Sequence, residues 1–233
     1  MRLLACLLCL ALAACARPAV VVVPAAAPPE AARAIRDPSI AARDFIAVVE
    51  RVMPVAVEAC RAQRRAIRCD YGVVVDDRLT VPPNAFQTVA PDGRPIVGFT
   101  LPLILLAENP DELAFVLSHE AAHHIAGHIT RGEVSARQTA ALAAAVATLR
   151  GGDAVAIRRA RDIGAFVGAR RYSKDFELEA DALGARIALA AGFDPLRGIG
   201  FFYDGPDPGN EFLGTHPPNA DRIATVRAVV AGG

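Results

Sequence analysis

The residues best suited to chemistry lie in one pentapeptide, His119-Glu120-Ala121-Ala122-His123. Two histidines four apart on a helix project from the same face, one turn from each other. Both imidazoles can then reach a single Zn²⁺ with bonds of about 2.0–2.1 Å. Glu120 sits about 100° further round the helix, beside the metal rather than on it. There it can take a proton from zinc-bound water, whose pKa the metal lowers to about 7. Two ligands and a non-ligating base on one rigid rod are what metal-assisted hydrolysis requires.

Such a site needs a third protein ligand and an open fourth position. A third histidine in the extended pattern H-E-x-x-H-x-x-G-x-x-H would need glycine at 126 and histidine at 129, where the chain has Ala126 and Ile129. The alternative is a glutamate on a later helix, and Phe176-Glu177-Leu178-Glu179-Ala180-Asp181 supplies one. Glu177 and Asp181 share a helical face, so Glu177 can bind zinc while Asp181 accepts a hydrogen bond from a ligand imidazole. Glu179 faces elsewhere. His124 and His128 fall on another stripe of the motif helix and read as structural or supporting residues.

The elements that must position these groups can be read from periodicity and punctuation. Phe45, Val49, Val52, Ala56 and Cys60 recur at helical spacing within 38–63, with Pro54 as a predicted kink. Strand-like runs follow at 71–75, 84–89 and 95–100, with a Pro91-Asp92-Gly93 turn, predicting a small antiparallel sheet. The motif helix starts with Asn109 as N-cap, Pro110 at the first helical position and Glu112 completing a capping box, and should run to about Thr130. Further helices are predicted at 134–150, 153–170, 174–191 (with Ser173 as cap) and 219–230, with a Gly- and Pro-rich loop over 204–218. The fold class is α+β, mainly helical: one domain over 37–233.

Residues 1–14 read as a lipoprotein signal peptide. Arg2 is the positive region, an apolar stretch of about a dozen residues follows, and Leu12-Ala13-Ala14-Cys15 has the form of a lipobox. Cys15 is the expected lipidation site, and the Ala- and Pro-rich stretch 15–36 the expected tether. Cys60 and Cys69 then remain as an even pair in an oxidising compartment, where a disulfide between them is expected. Net charge is zero, with 25 basic and 25 acidic side chains, so nothing speaks for a nucleic-acid surface. Trp is absent and aromatics are 6%, which argues against stacking platforms for bases or sugars.

Taken together, these stretches resemble the gluzincin zinc metallopeptidases of the HtpX and CAAX prenyl endopeptidase type, most of all bacterial envelope members that are BepA-like. The resemblance runs from Asn84-Ala85-Phe86 through Asp111 to His123. It resumes at Tyr172 to Asp181 and closes with Thr215-His216-Pro217-Pro218 and Arg222-Ile223. It implies a zincin-like metallopeptidase domain over 37–233, with one zinc per chain on His119, His123 and Glu177 and with Glu120 as base. It also implies endopeptidase action on misfolded or misassembled envelope proteins. The strand at Asn84, Ala85 and Phe86 would pair with an extended substrate. His216 would gate the metal or stabilise the oxyanion. The implied place is the periplasmic side of the envelope, anchored at the outer membrane through Cys15. Helical-repeat and multi-span extensions of such relatives are not seen in the sequence. Two other readings are a non-catalytic, zinc-bound chaperone or assembly factor working with envelope assembly machinery, and a zinc buffer. The intact Glu120 and the lack of His-rich tracts weigh against them.

Overall fold

The computed structural model describes residues 33–63, 66–170, 173–204, 207, 209 and 216–232. The signal peptide, Cys15, Tyr172, Thr215 and most of the 204–218 loop lie outside the described residues. In chain order the elements are α1 (Pro38–Ala62), β1 (Gly72–Asp76), β2 (Ala85–Val89), β3 (Pro95–Thr100), α2 (Leu101–Leu106), α3 (Pro110–Ala126), α4 (His128–Leu149), α5 (Ala154–Arg170), α6 (Ser173–Ala190), α7 (Pro195–Gly198), α8 (Phe201–Asp204) and α9 (Asn219–Gly232). The fold is α+β and mainly helical.

The expected antiparallel sheet is a mixed one, in the order β1-β3-β2. β2 and β3 pair antiparallel across the turn at Gly93 (φ 84°), while β1 pairs parallel with β3. The cause is burial. β3 is almost wholly buried and takes the centre, whereas β1 and β2 each keep exposed positions and stay at the edges. The Phe86 ring covers its cross-strand partner Gly98, where an added Cβ would lie 2.2 Å from Cζ of the ring.

α1 packs Ala41, Phe45, Val48, Val52, Ala56 and Cys60 into the core and continues as one helix through Pro54. Cys60 and Cys69 are joined as a disulfide that ties the end of α1 to the approach to β1. The chain meets the fold before Asp37. The Arg36 N–H donates to Leu105 O (3.0 Å), and Arg33 reaches the buried Glu112 carboxylate at 2.8 Å. Residues 33–36 therefore pack as part of the domain rather than as tether. α2 is an apolar run with no period to read in advance.

α3 begins where expected. Asn109 Oδ1 accepts the Glu112 N–H at 3.1 Å, with Pro110 in the first turn. The capping box is displaced by one residue: the Glu112 carboxylate accepts the Glu108 N–H (2.7 Å) rather than that of Asn109. α3 also stops earlier than Thr130. Gly127 takes a left-handed conformation (φ 71°), its N–H closes on the carbonyls of His123 and His124, and α4 starts at once in a new direction.

Candidate metal centre

α3 and α6 form the frame of the site. They approach so closely at Gly184 that a Cβ there would lie 2.9 Å from both Cα and N of His119. This contact brings the glutamate-bearing turn of α6 against the histidines of α3. His119, His123 and Glu177 form one cluster whose ligand atoms all lie within 4.8 Å of one another. His119 Nε2 is 3.0 Å from His123 Nε2, His123 Nε2 is 3.3 Å from Glu177 Oε1, and His119 Nε2 is 3.7 Å from Glu177 Oε2. Donors around a tetrahedral zinc at bond lengths near 2 Å are separated by about 3.3 Å, so the three fit one ion.

The surrounding hydrogen bonds point the right ring nitrogens inward. Asp181, fully buried, lies with Oδ1 2.9 Å from His119 Nδ1, which must therefore carry a proton. Arg222 donates from Nε and Nη2 to both Asp181 oxygens at 2.7 Å each, which balances that buried charge. On the other ligand, His128 Nε2 lies 3.2 Å from Glu179 Oε2 and His128 Nδ1 lies 2.8 Å from His123 Nδ1. A carboxylate only accepts, so His128 Nε2 donates to it. A neutral His128 then accepts at Nδ1, and His123 Nδ1 is the donor. Burial pushes His128 down to about 4, which keeps it neutral near pH 7. Both ligand imidazoles thus spend their Nδ1 protons outward, and their Nε2 atoms converge on the Glu177 carboxylate. Three such donors need a shared proton or a cation between them, and the donor set suits zinc.

The charges agree with this geometry. Burial opposes ionisation of Glu177, yet the neighbouring imidazoles of His123 and His216, with His119 and Arg222 nearby, hold its carboxyl well below the usual carboxylate range. Burial likewise opposes ionisation of Asp181, and Arg222 and His119 outweigh it, so its pKa is lowered.

Two supporting residues depart from what the sequence showed. On an unbroken helix His128 would lie about 140° from His123 and face away. The break at Gly127 folds it back, stacked on Phe176 (centroids 4.5 Å, interplanar angle 8°). Gly127 just past an apolar run is the signal that could have located the break. Glu179, read as facing elsewhere, holds the far side of His128 and pairs with Arg131 at 2.7 Å. Arg222 carried no assigned role, although it sits in the sequence stretch that closes the resemblance.

The cluster opens into a cleft of about 560 Å³ lined by His119, Glu120, His123, Glu177, His216 and Arg222, together with Asn84 and the first β2 residues, Ala85 and Phe86. Phe115, Phe201 and Phe202 give it an apolar end. His216 is half-exposed, with Nδ1 3.2 Å from Glu177 Oε2.

A family model described as peptidase family M48 matches residues 42–230, which include every element from α1 to α9 at least in part. The chain belongs to peptidase family M48. As an M48 member it is a peptidase, a hydrolase of peptide bonds, and in this zinc-dependent family the His119, His123 and Glu177 group could hold the metal. A search of curated proteins finds no match.

Proposed function

We propose that this M48 peptidase is a zinc-dependent endopeptidase of the bacterial cell envelope, BepA-like in kind, that hydrolyses misfolded or misassembled proteins. The observation that carries the reading is the convergence of His119 Nε2, His123 Nε2 and the Glu177 carboxylate beside Glu120, in a cleft bordered by a strand edge. Bound zinc would polarise the scissile carbonyl and acidify the attacking water. Glu120 takes the proton from that water and returns it to the leaving amine. Asp181 and the His128–Glu179 pair hold the two imidazoles in the orientation and tautomer that the ligands need. Among the described residues β2 has β3 on one side only; Asn84 is bonded through both backbone groups to Thr100, so in the stretch of Asn84, Ala85 and Phe86 the free edge that can pair with an extended substrate backbone begins at Ala85. Selection for extended chains is what suits such an edge to unfolded proteins.

The envelope location rests on sequence alone: the signal over 1–14, lipidation of Cys15, and a tether that places the domain on the periplasmic side of the outer membrane. A second reading, a self-inhibited or non-catalytic zinc-bound chaperone, draws on the contact between His216 and Glu177 at the mouth of the cluster. One comparison separates the two. The full chain and its Glu120→Gln variant are incubated with an unfolded model protein, with and without a chelator. The endopeptidase reading expects cleavage by the parent alone, lost on chelation and restored by zinc. Equal suppression of aggregation by both proteins, with cleavage by neither, would favour the chaperone.

A further inference from the structure

Between the two helices that carry the ligands, α4 and α5 form an antiparallel hairpin whose members pack on each other far more than on the rest of the fold. α4 alone is about 33 Å long. The inner seam admits only small residues. A Cβ at Gly164 would lie 2.6 Å from Thr139 O, and one at Gly168 would lie 2.5 Å from Ser135 O. Most large apolar side chains of the hairpin are therefore turned outward, with Ile157 half-buried. Leu142 is 66%, Leu149 87% and Ile163 64% exposed, and Val146, Val155 and Phe166 are exposed beside them. From Gln138 to Leu149 the chain carries no charged residue at all. A helix built to face water carries charge on its outer side, and apolar patches of this kind mark interaction sites.

The charge on the same hairpin indicates what covers it. Over 128–170 there are seven arginines against three acidic residues, in a chain whose net charge is zero. Four of them, Arg150, Arg158, Arg159 and Arg161, belong to the distal half. Exposed Leu and Val beside arginines whose stems can lie along the apolar surface is the chemistry of helices that rest in the headgroup region of anionic bilayers. Two copies meeting through this face would bring like arginine clusters together. No helix among the described residues is long and apolar enough to cross a membrane, so contact is with the surface.

We infer that the tip of the α4–α5 hairpin docks into the surface of an anionic lipid bilayer, with Leu142, Val146, Leu149 and Val155 entering the acyl boundary and the neighbouring arginines meeting lipid phosphates. The inference depends neither on a lipid anchor nor on the peptidase chemistry. Docking would hold the base of the hairpin, where His128 and Arg131 support the metal cluster, at a fixed height above the membrane.

The chain has no Trp, so one introduced at the tip is an unshared reporter. The full chain bearing Leu149→Trp is mixed with phosphatidylcholine vesicles, with and without phosphatidylglycerol, carrying bromine on the acyl chains. The expected result is a blue shift and quenching that need the anionic lipid, while Ile46→Trp, on the exposed side of α1, shows neither. Adding Arg158→Glu and Arg159→Glu to Leu149→Trp should weaken partitioning at least about tenfold, since each basic residue at an anionic surface contributes about a factor of five. Circular dichroism checks that the variants fold. Emission from Leu149→Trp that ignores every vesicle overturns the inference. So does a blue shift that grows with protein concentration without lipid, which would make the face a contact between copies, or one that follows only from adding an unfolded protein.

Discussion

At the scale of single residues, the centre is two imidazoles whose outer nitrogens are each occupied. Asp181 and Arg222 secure His119, and His128 with Glu179 secures His123. Loss of such supporting partners weakens metal binding by about ten- to a hundredfold in comparable sites. Asp181→Asn and His128→Leu should each lower zinc affinity by about that range in a competition titration. His128→Asn, which can offer an amide oxygen where Nδ1 stood, should lose less than His128→Leu. Equal loss in the two His128 variants would mean that packing on Phe176, not the acceptor, is what matters. His216→Ala separates its two proposed roles: higher peptidase activity identifies a gate, lower activity identifies a transition-state donor, and no change removes His216 from the mechanism. His119, Glu120, His123, Glu177 and Asp181 could be named from spacing because each obeys the period of one helix. His128 could not, because its position depends on the break at Gly127. Arg222 could not, because its partner lies 41 residues away on another element.

At the scale of elements, the site depends on how closely α6 lies on α3. Gly184→Ala would place a methyl against the backbone of His119, which cannot move without moving a ligand. The expected outcome is a loss of about 1–3 kcal/mol in denaturant unfolding together with weaker zinc binding. Unchanged zinc affinity would show that the two helices can separate without disturbing the cluster. The disulfide closes a short loop between α1 and the sheet, so replacing both Cys60 and Cys69 with Ser should cost about 2–3 kcal/mol of stability. Peptidase activity at moderate temperature should persist, because the bridge lies away from the cleft. Helix starts were legible here, since Asn109 and Pro110 act locally. The pairing of β1 with β3 was not, because strand order is decided by which run the helices bury. Short helices such as α2 and α7 carry too few turns for a period to be read.

For the molecule as a whole, α3, α6 and α9 all contribute groups to one cluster, so metal binding should stabilise the fold. Chelation should lower the melting temperature, and added zinc should raise it in a concentration-dependent way, stabilising the fold by about 2.7 kcal/mol when free zinc is a hundred times its dissociation constant. A melting temperature indifferent to zinc would mean that the cluster does not bind it. The mainly helical α+β class was legible from periodicity, whereas the outward-turned hairpin was not. Its alanine-rich sequence fits a lid or a packing helix equally well until Gly164 and Gly168 are seen to close the seam against the α4 backbone, where a larger side chain would clash. Whether His119, His123 and Glu177 hold one catalytic zinc is decided by zinc X-ray absorption on the full chain, with metal quantified in the parent and in Glu177→Ala. One zinc per chain is expected in the parent, with two imidazoles and oxygen donors at about 2.0–2.2 Å, and loss of bound metal in the variant. A parent that binds no stoichiometric zinc, or a zinc whose ligand shell is unchanged in Glu177→Ala, would contradict it.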